Sequence, residues 1–266
     1  MKTSPVRWLI GYLVVPLLAL QTAWADDRQL AELFQQQQVD GTIVIVDLAG
    51  TQKYIHNSER AAKRLWPAST FKVPNTLMAL DAGVIASADS VIKWDGQDKG
   101  LKMWNQDQTL ATALSRSCVW CYQGFARQIG NQAYLDYLQQ IDYGNGLTGK
   151  QVDTFWLEGD LAISALEQVD FLARLYQQQL PFKAEHFAVL KQIMLVEKAA
   201  NYQLYAKTGW AQRGDVDHGW YVGYVERGEA VWLFALNIDI KSRNDANKRI
   251  LLTRQALAVK GIIDTP

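Results

Sequence analysis

Cysteine and histidine are scarce in this chain. Two cysteines, Cys118 and Cys121, cannot build a disulfide framework, so the apolar core has to supply most of the stability. The three histidines, His56, His186 and His218, lie far apart and form no H-x-H or H-E-x-x-H pattern. That argues against a histidine-rich metal site, and neither a metal nor another cofactor is expected. An excess of one charge is also missing: 27 Lys and Arg stand against 27 Asp and Glu, with no long basic run. Nucleic acid is therefore not the expected partner. Beyond the N-terminus no apolar stretch reaches the roughly 18 residues that cross a bilayer. There is no internal repeat, and the glutamine-rich stretches at 34–38 and 177–179 are too short to carry meaning.

The N-terminus has a different character. Lys2 and Arg7 precede an apolar run from Trp8 to Leu20, and Ala23-Trp24-Ala25 is a small-x-small site. This is the order of a secretory signal peptide, with cleavage expected after Ala25. Removing residues 1–25 takes away two positive charges and no acid, which leaves a slightly acidic chain. Residues 26–266 are long enough to bury a full core, as one domain or as two lobes folded together. An exported, periplasmic protein without a membrane span is expected.

Hydrophobic periodicity gives the order of elements. Asp27 to Gln38 reads as a helix with Leu30, Leu33 and Phe34 on one face. Thr42 to Val46 and Tyr54 to His56 read as a hairpin around Ala49-Gly50-Thr51. Residues 69–200 are mostly helical in pattern. Strands follow at Tyr205–Thr208, Trp220–Val225 and Val231–Ile240, then a helix from about Asn244 to Val259. No βαβ alternation occurs. The expected fold is α+β: an antiparallel sheet built from both chain ends and flanked by helices, with a mostly helical second lobe. A cleft between the lobes is the natural ligand site.

The segment Pro67-Ala68-Ser69-Thr70-Phe71-Lys72-Val73-Pro74-Asn75 carries the first chemistry. Ser69 and Lys72 are spaced i, i+3, which puts both on one helix face. A serine hydroxyl needs a neighbouring base, and an ammonium has no lone pair to act as one. Phe71 and Val73 can desolvate Lys72 and favour its neutral form. By itself the tetrapeptide is a frequent accident: serine often caps helices and lysine is usually solvated. Lys207-Thr208-Gly209, on a strand, offers a cation, a hydroxyl and a close backbone approach for a carboxylate. Ser117-Cys118-Val119 offers a second hydroxyl and means little alone.

Together these become specific. S-x-x-K, S-D-N and K-T-G form the motif trio of class A β-lactamases and penicillin-binding proteins. Here the outer two are intact and the middle one reads Ser-Cys-Val. With Tyr143-Gly144-Asn145, Trp156-Leu157-Glu158-Gly159 and Lys93-Trp94-Asp95-Gly96, the chain resembles the class D β-lactamases, the oxacillinase family, from about Gly41 to Ile263.

The resemblance implies a β-lactam as the small-molecule substrate and a role for each matching residue. Ser69 would be the acylated nucleophile and Lys72, as an N-carboxylated lysine, the base. Phe71, Val119, Trp156 and Leu157 would surround that lysine. Ser117 would relay a proton to the leaving nitrogen. Lys207 and Arg249 would receive the substrate carboxylate, with Thr208 and Gly209 beside them. The backbone N–H groups of Ser69 and Trp210 would form the oxyanion hole, and Trp104 would line the cleft. Glu158 is assigned a structural role rather than that of a deacylating base. Cys118 and Cys121 are expected as buried free thiols, because helical i, i+3 geometry suits an unstrained bridge poorly. Two rival functions share the chemistry: a D-Ala-D-Ala transpeptidase or carboxypeptidase, and a β-lactam sensor that does not hydrolyse.

Overall fold

The computed structural model describes residues 26–212, Gly214 and residues 216–264; the leader expected at residues 1–25 lies outside them. Helix α1 (Arg28–Gln36) starts where Asp27 Oδ1 accepts the Leu30 N–H at 3.1 Å. Strands β1 (Gly41–Asp47) and β2 (Lys53–His56) follow as the expected hairpin. Next come helix α2 (Ser58–Ala62), a 3-10 turn (Ala68–Phe71) and helix α3 (Lys72–Asp81). A two-stranded ribbon of β3 (Val91–Ile92) and β4 (Gln108–Thr109) precedes helices α4 (Leu110–Ser115), α5 (Val119–Ile129) and α6 (Asn131–Gln140). Helices α7 (Ala165–Tyr176) and α8 (Ala184–Met194) complete the helical part. The chain then returns to strands β5 (Leu195–Lys198), β6 (Gln203–Ala211), β7 (His218–Arg227) and β8 (Ala230–Asp239), and ends in helix α9 (Asp245–Val259).

The main sheet has the order β2-β1-β8-β7-β6-β5, and each neighbouring pair is antiparallel. It is built from both chain ends, as the sequence order implied. Alternation along each strand divides the core in two. Ile43, Ile45, Phe234 and Leu236 pack with Leu30, Phe34, Leu252 and Leu257 of α1 and α9. Val44, Leu233, Ala235 and Val222 face the other way, into the cluster that holds Phe71, Leu77 and Trp156. Burying one such large side chain fully contributes about 1.5–3 kcal/mol. The site lies on this second face, where the helical part meets β6 and β7.

Three features depart from the sequence reading. The middle is not uniformly helical, since residues 141–164 run mostly as turns and loops between α6 and α7. Glycine and asparagine explain this: Gly144, Gly146 and Gly149 all take positive φ. Asn145 staples the segment, its Oδ1 accepting the Ala162 N–H at 3.0 Å and its Nδ2 donating to Asp160 O at 2.6 Å. Strand β5 gave no signal because Leu195 and Val196 face solvent at the sheet edge, so no alternation marks it. Strand β6 extends through Gly209 to Ala211, so Lys207-Thr208-Gly209 lies inside a strand rather than at its end.

Gly223 lies in the middle of β7, paired with Ala206. A Cβ there would overlap the Tyr205 carbonyl oxygen and lie 2.8 Å from the Ala206 Cα. These are backbone atoms of the neighbouring strand and cannot swing aside. Gly223→Ala is expected to destabilise the fold by about 3 kcal/mol. A urea midpoint within error of the parent would refute this packing.

Candidate active site

The turn that carries Ser69 is held from several sides. The Trp66 carbonyl accepts the Trp220 indole N–H at 2.8 Å, and His218 Nε2 lies 3.0 Å from the same oxygen. Ala68 takes a left-handed φ of 48° and its N–H donates to Trp156 O at 2.9 Å. A non-glycine residue in this region stores strain and persists only where its surroundings fix it. Thr70 Oγ1 donates to Pro67 O at 2.7 Å and accepts the Gln168 side-chain N–H at 3.0 Å. Ser69 therefore sits on a 3-10 turn just before α3, not at the first turn of an α-helix. β6 passes close by, because a Cβ on Gly209 would meet Pro67 O at 3.0 Å and Thr70 Cγ2 at 3.1 Å.

Lys72 opens α3 and is fully buried. Its Nζ lies 3.0 Å from Ser69 Oγ, so the i, i+3 expectation holds in space. Burial alone pushes the ammonium down to about 7, which makes the neutral amine accessible near neutral pH. Phe71 stacks on Trp156 with centroids 5.6 Å apart, and both are fully buried. The Trp156 indole N–H is a buried donor without a partner among the described residues. An orphaned buried donor is costly, and it fits an acceptor arriving at this place. Val119, the first residue of α5, and Leu157 are only half-buried, unlike Phe71 and Trp156. Glu158 is exposed on the loop surface.

Tyr122 was not anticipated. Its ring lies under Lys72, with Nζ 5.2 Å from the centroid, and its hydroxyl meets Thr76 Oγ1 at 2.7 Å. The sequence does hold a signal for it. Tyr122 stands three residues after Val119, on the same face of α5.

The second lysine comes from the sheet. Lys207 is buried, and its Nζ donates to Ser117 Oγ at 2.5 Å and to Thr208 O at 3.0 Å. Burial first, then the nearby Lys72 and Arg249 cations, push its ammonium well down. Arg249 reaches from α9 across Gly219, where a Cβ would lie 2.6 Å from Ile240 Cδ1 and overlap the Arg249 side chain. Its guanidinium donates to Gly209 O and Ala246 O and lies over the Trp210 ring. Burial lowers it to about 10, so it remains a cation. Lys72, Lys207 and Arg249 thus gather beside two serines, and the Arg249 cation in this low-dielectric place favours an anionic ligand.

Trp104 sits on the 3-10 turn Lys102–Trp104, half-buried, and its indole donates to Arg116 O at 3.0 Å. The expected free thiols are not found. Cys118 and Cys121 are joined, with a Cα–Cα distance of 5.5 Å. The helical assumption failed because Cys118 is the N-cap of α5, with φ −55 and ψ 107. Cys118 is therefore outside the helix, free of the side-chain direction that an i, i+3 helical pair would impose. Among the described residues no group of three or more His, Cys, Asp or Glu is placed to hold a metal ion, and no helix is long and apolar enough to cross a membrane. Two cavities lie elsewhere, around Lys198 and Arg227 and around Phe187 and Met194, and neither includes the serines and lysines described above.

Known proteins resemble this chain in sequence and in fold. The family model for the penicillin binding protein transpeptidase domain matches residues 41–255. The chain is 38% identical over 250 residues to β-lactamase OXA-48 of Klebsiella pneumoniae, covering 94% of each chain. It is 43% identical over 229 residues to β-lactamase OXA-2 of Salmonella typhimurium, covering 85% of this chain and 82% of that one. The crystal structure of the class D β-lactamase YbXI from Nostoc superposes with a TM-score of 0.87 at 40% identity, covering 88% of this chain and 99% of that one. Likeness of this extent, in sequence and in fold, makes the chain a member of the class D family of serine β-lactamases.

Proposed function

We propose that the protein hydrolyses β-lactams through an acyl-enzyme on Ser69, with Lys72, carboxylated on Nζ, as the base for both acylation and deacylation. The observation that carries this reading is the fully buried Lys72 amine 3.0 Å from Ser69 Oγ. An amine lowered to about 7 has a neutral fraction that can add CO2 and release a proton. The resulting carbamate supplies an anionic oxygen that accepts a proton where an ammonium cannot. Trp156 supports the same reading, since its indole N–H lacks a partner and suits a carbamate oxygen.

The remaining residues act as follows. Ser69 Oγ gives its proton to the Lys72 carbamate and attacks the lactam carbonyl carbon. The N–H groups of Ser69 and Trp210 hold the developing oxyanion, a contribution worth about 3–4 kcal/mol per donor in comparable sites. As the C–N bond breaks, the base gives up that proton, and Ser117 relays it to the ring nitrogen with Lys207 behind it at 2.5 Å. Lys207, Thr208 and Arg249 hold the substrate carboxylate. A water then gives a proton to the same base and attacks the ester carbon, and the base returns that proton to Ser69 Oγ as the ester bond breaks. Residues 26–266 form the single catalytic domain. We place it in the periplasm after removal of residues 1–25, a reading supported by the leader pattern and by a disulfide suited to an oxidising compartment.

Nitrocefin turnover at several pH values tests this reading. Steady hydrolysis is expected. It falls as pH drops through about 7, because protonating the Lys72 amine removes the form that binds CO2. Added bicarbonate restores part of the loss. A single stoichiometric burst without turnover would instead favour a penicillin-binding enzyme or a sensor.

A further inference from the structure

We propose that the Cys118–Cys121 disulfide is a positioning element for Ser117. The inference rests on the reading of Ser117 as the proton relay. Helix α4 ends in a Schellman turn: the Ser117 N–H donates to Leu114 O at 3.1 Å and the Cys118 N–H to Ala113 O at 2.9 Å. The left-handed position of such a turn ordinarily holds glycine. Here Ser117 occupies it, with φ 53°. In this conformation Ser117 Oγ meets Lys207 Nζ at 2.5 Å. A serine stays in this region only while its neighbours hold it there.

Those neighbours are tied on both sides. Before Ser117, the Arg116 carbonyl accepts the Trp104 indole N–H at 3.0 Å. After it, Cys118 is bonded through sulfur to Cys121, and the bridge closes a small ring over Val119 and Trp120. Trp120 donates its own indole N–H to Trp104 O at 3.1 Å, which joins the ring to the same support. Cys118 Sγ also accepts the Cys121 N–H at 3.3 Å and so caps α5. Both cysteines are fully buried, and the reaction uses neither. Without the bridge, the α4–α5 junction can relax and let Ser117 leave its strained φ. Its Oγ then moves off Lys207, while the cations that bind the substrate carboxylate stay in place.

Two variants of the full mature chain separate the bridge from the cap. Cys118→Ala/Cys121→Ala removes both. Cys118→Ser/Cys121→Ala removes the bridge and gives the α5 N-terminus an oxygen acceptor. Steady-state kinetics with nitrocefin and thermal melts are read side by side. For both variants kcat is expected to fall about 10- to 100-fold with KM nearly unchanged, as for misplacement of a reacting group. Melting drops for the alanine pair and recovers for the serine variant, while kcat does not recover. An unchanged kcat with only a lower melting temperature overturns the proposal, and so does a kcat restored by the serine variant, which would assign the effect to the cap. Parental turnover in the same assay reports on the function separately: if it is steady while the variants equal it, only the bridge idea falls.

Discussion

Ser69→Ala is expected to abolish β-lactam turnover, with kcat/KM falling by about 10⁴-fold or more. The Ser69 hydroxyl is the group that forms the covalent bond. The fold does not depend on it: Ala68 N–H to Trp156 O, Thr70 Oγ1 to Pro67 O and Gln168 to Thr70 hold the turn from either side. The loss is therefore chemical. Circular dichroism and melting temperature should match the parent, and mass spectrometry after exposure to a penicillin should show no acyl adduct. Residual turnover within tenfold of the parent would place the nucleophile elsewhere.

Lys72→Met is the second large effect. Removing the base should lower turnover by about 10³-fold, within the usual range for general-base loss. One base serves both steps, so whatever acylation remains should leave a long-lived adduct on Ser69. Stability moves the other way. The Lys72 amine ionises near 10.5 in the unfolded chain and is lowered to about 7 in the folded one. Between those values the unfolded chain holds a proton that the folded chain lacks, so the parent gains stability as pH rises through this window. The penalty is greatest below pH 7, at up to about 5 kcal/mol for a shift of this size. In carbonate-free buffer Lys72→Met should therefore exceed the parent in stability at pH 6, and the advantage should shrink towards pH 10. Denaturant midpoints across pH measure this; a constant difference would contradict the burial argument.

Local chemistry was legible in the sequence. Ser69 and Lys72 are three residues apart, so one helical turn fixes their distance. The β1–β2 hairpin and the β7–β8 hairpin were marked by short runs of β-branched and aromatic residues, and the closing helix by its stop at Gly261. Long-range partners were not legible from spacing. Lys207 reaches Ser117 across 90 residues, and only the likeness to a family suggested that they meet. The bridge between Cys118 and Cys121 was misjudged because α5 begins one residue later than a continuous helix would need. The Schellman turn at Ser117 sets that boundary, and a serine in the place of glycine hides it. Strand β5 was missed because edge exposure erases the alternation that marks a strand. Tyr122 was passed over because a buried aromatic on a helix reads as ordinary core.

The carbamate on Lys72 is the central claim, and carbon-13 NMR of the protein in labelled bicarbonate tests it most directly. One protein-bound carbamate resonance is expected, fading as pH falls through about 7 in step with activity. The resonance should be absent in Lys72→Met and much reduced in Trp156→Phe, which loses the indole N–H. Full activity in carbonate-depleted buffer with no such resonance would contradict it.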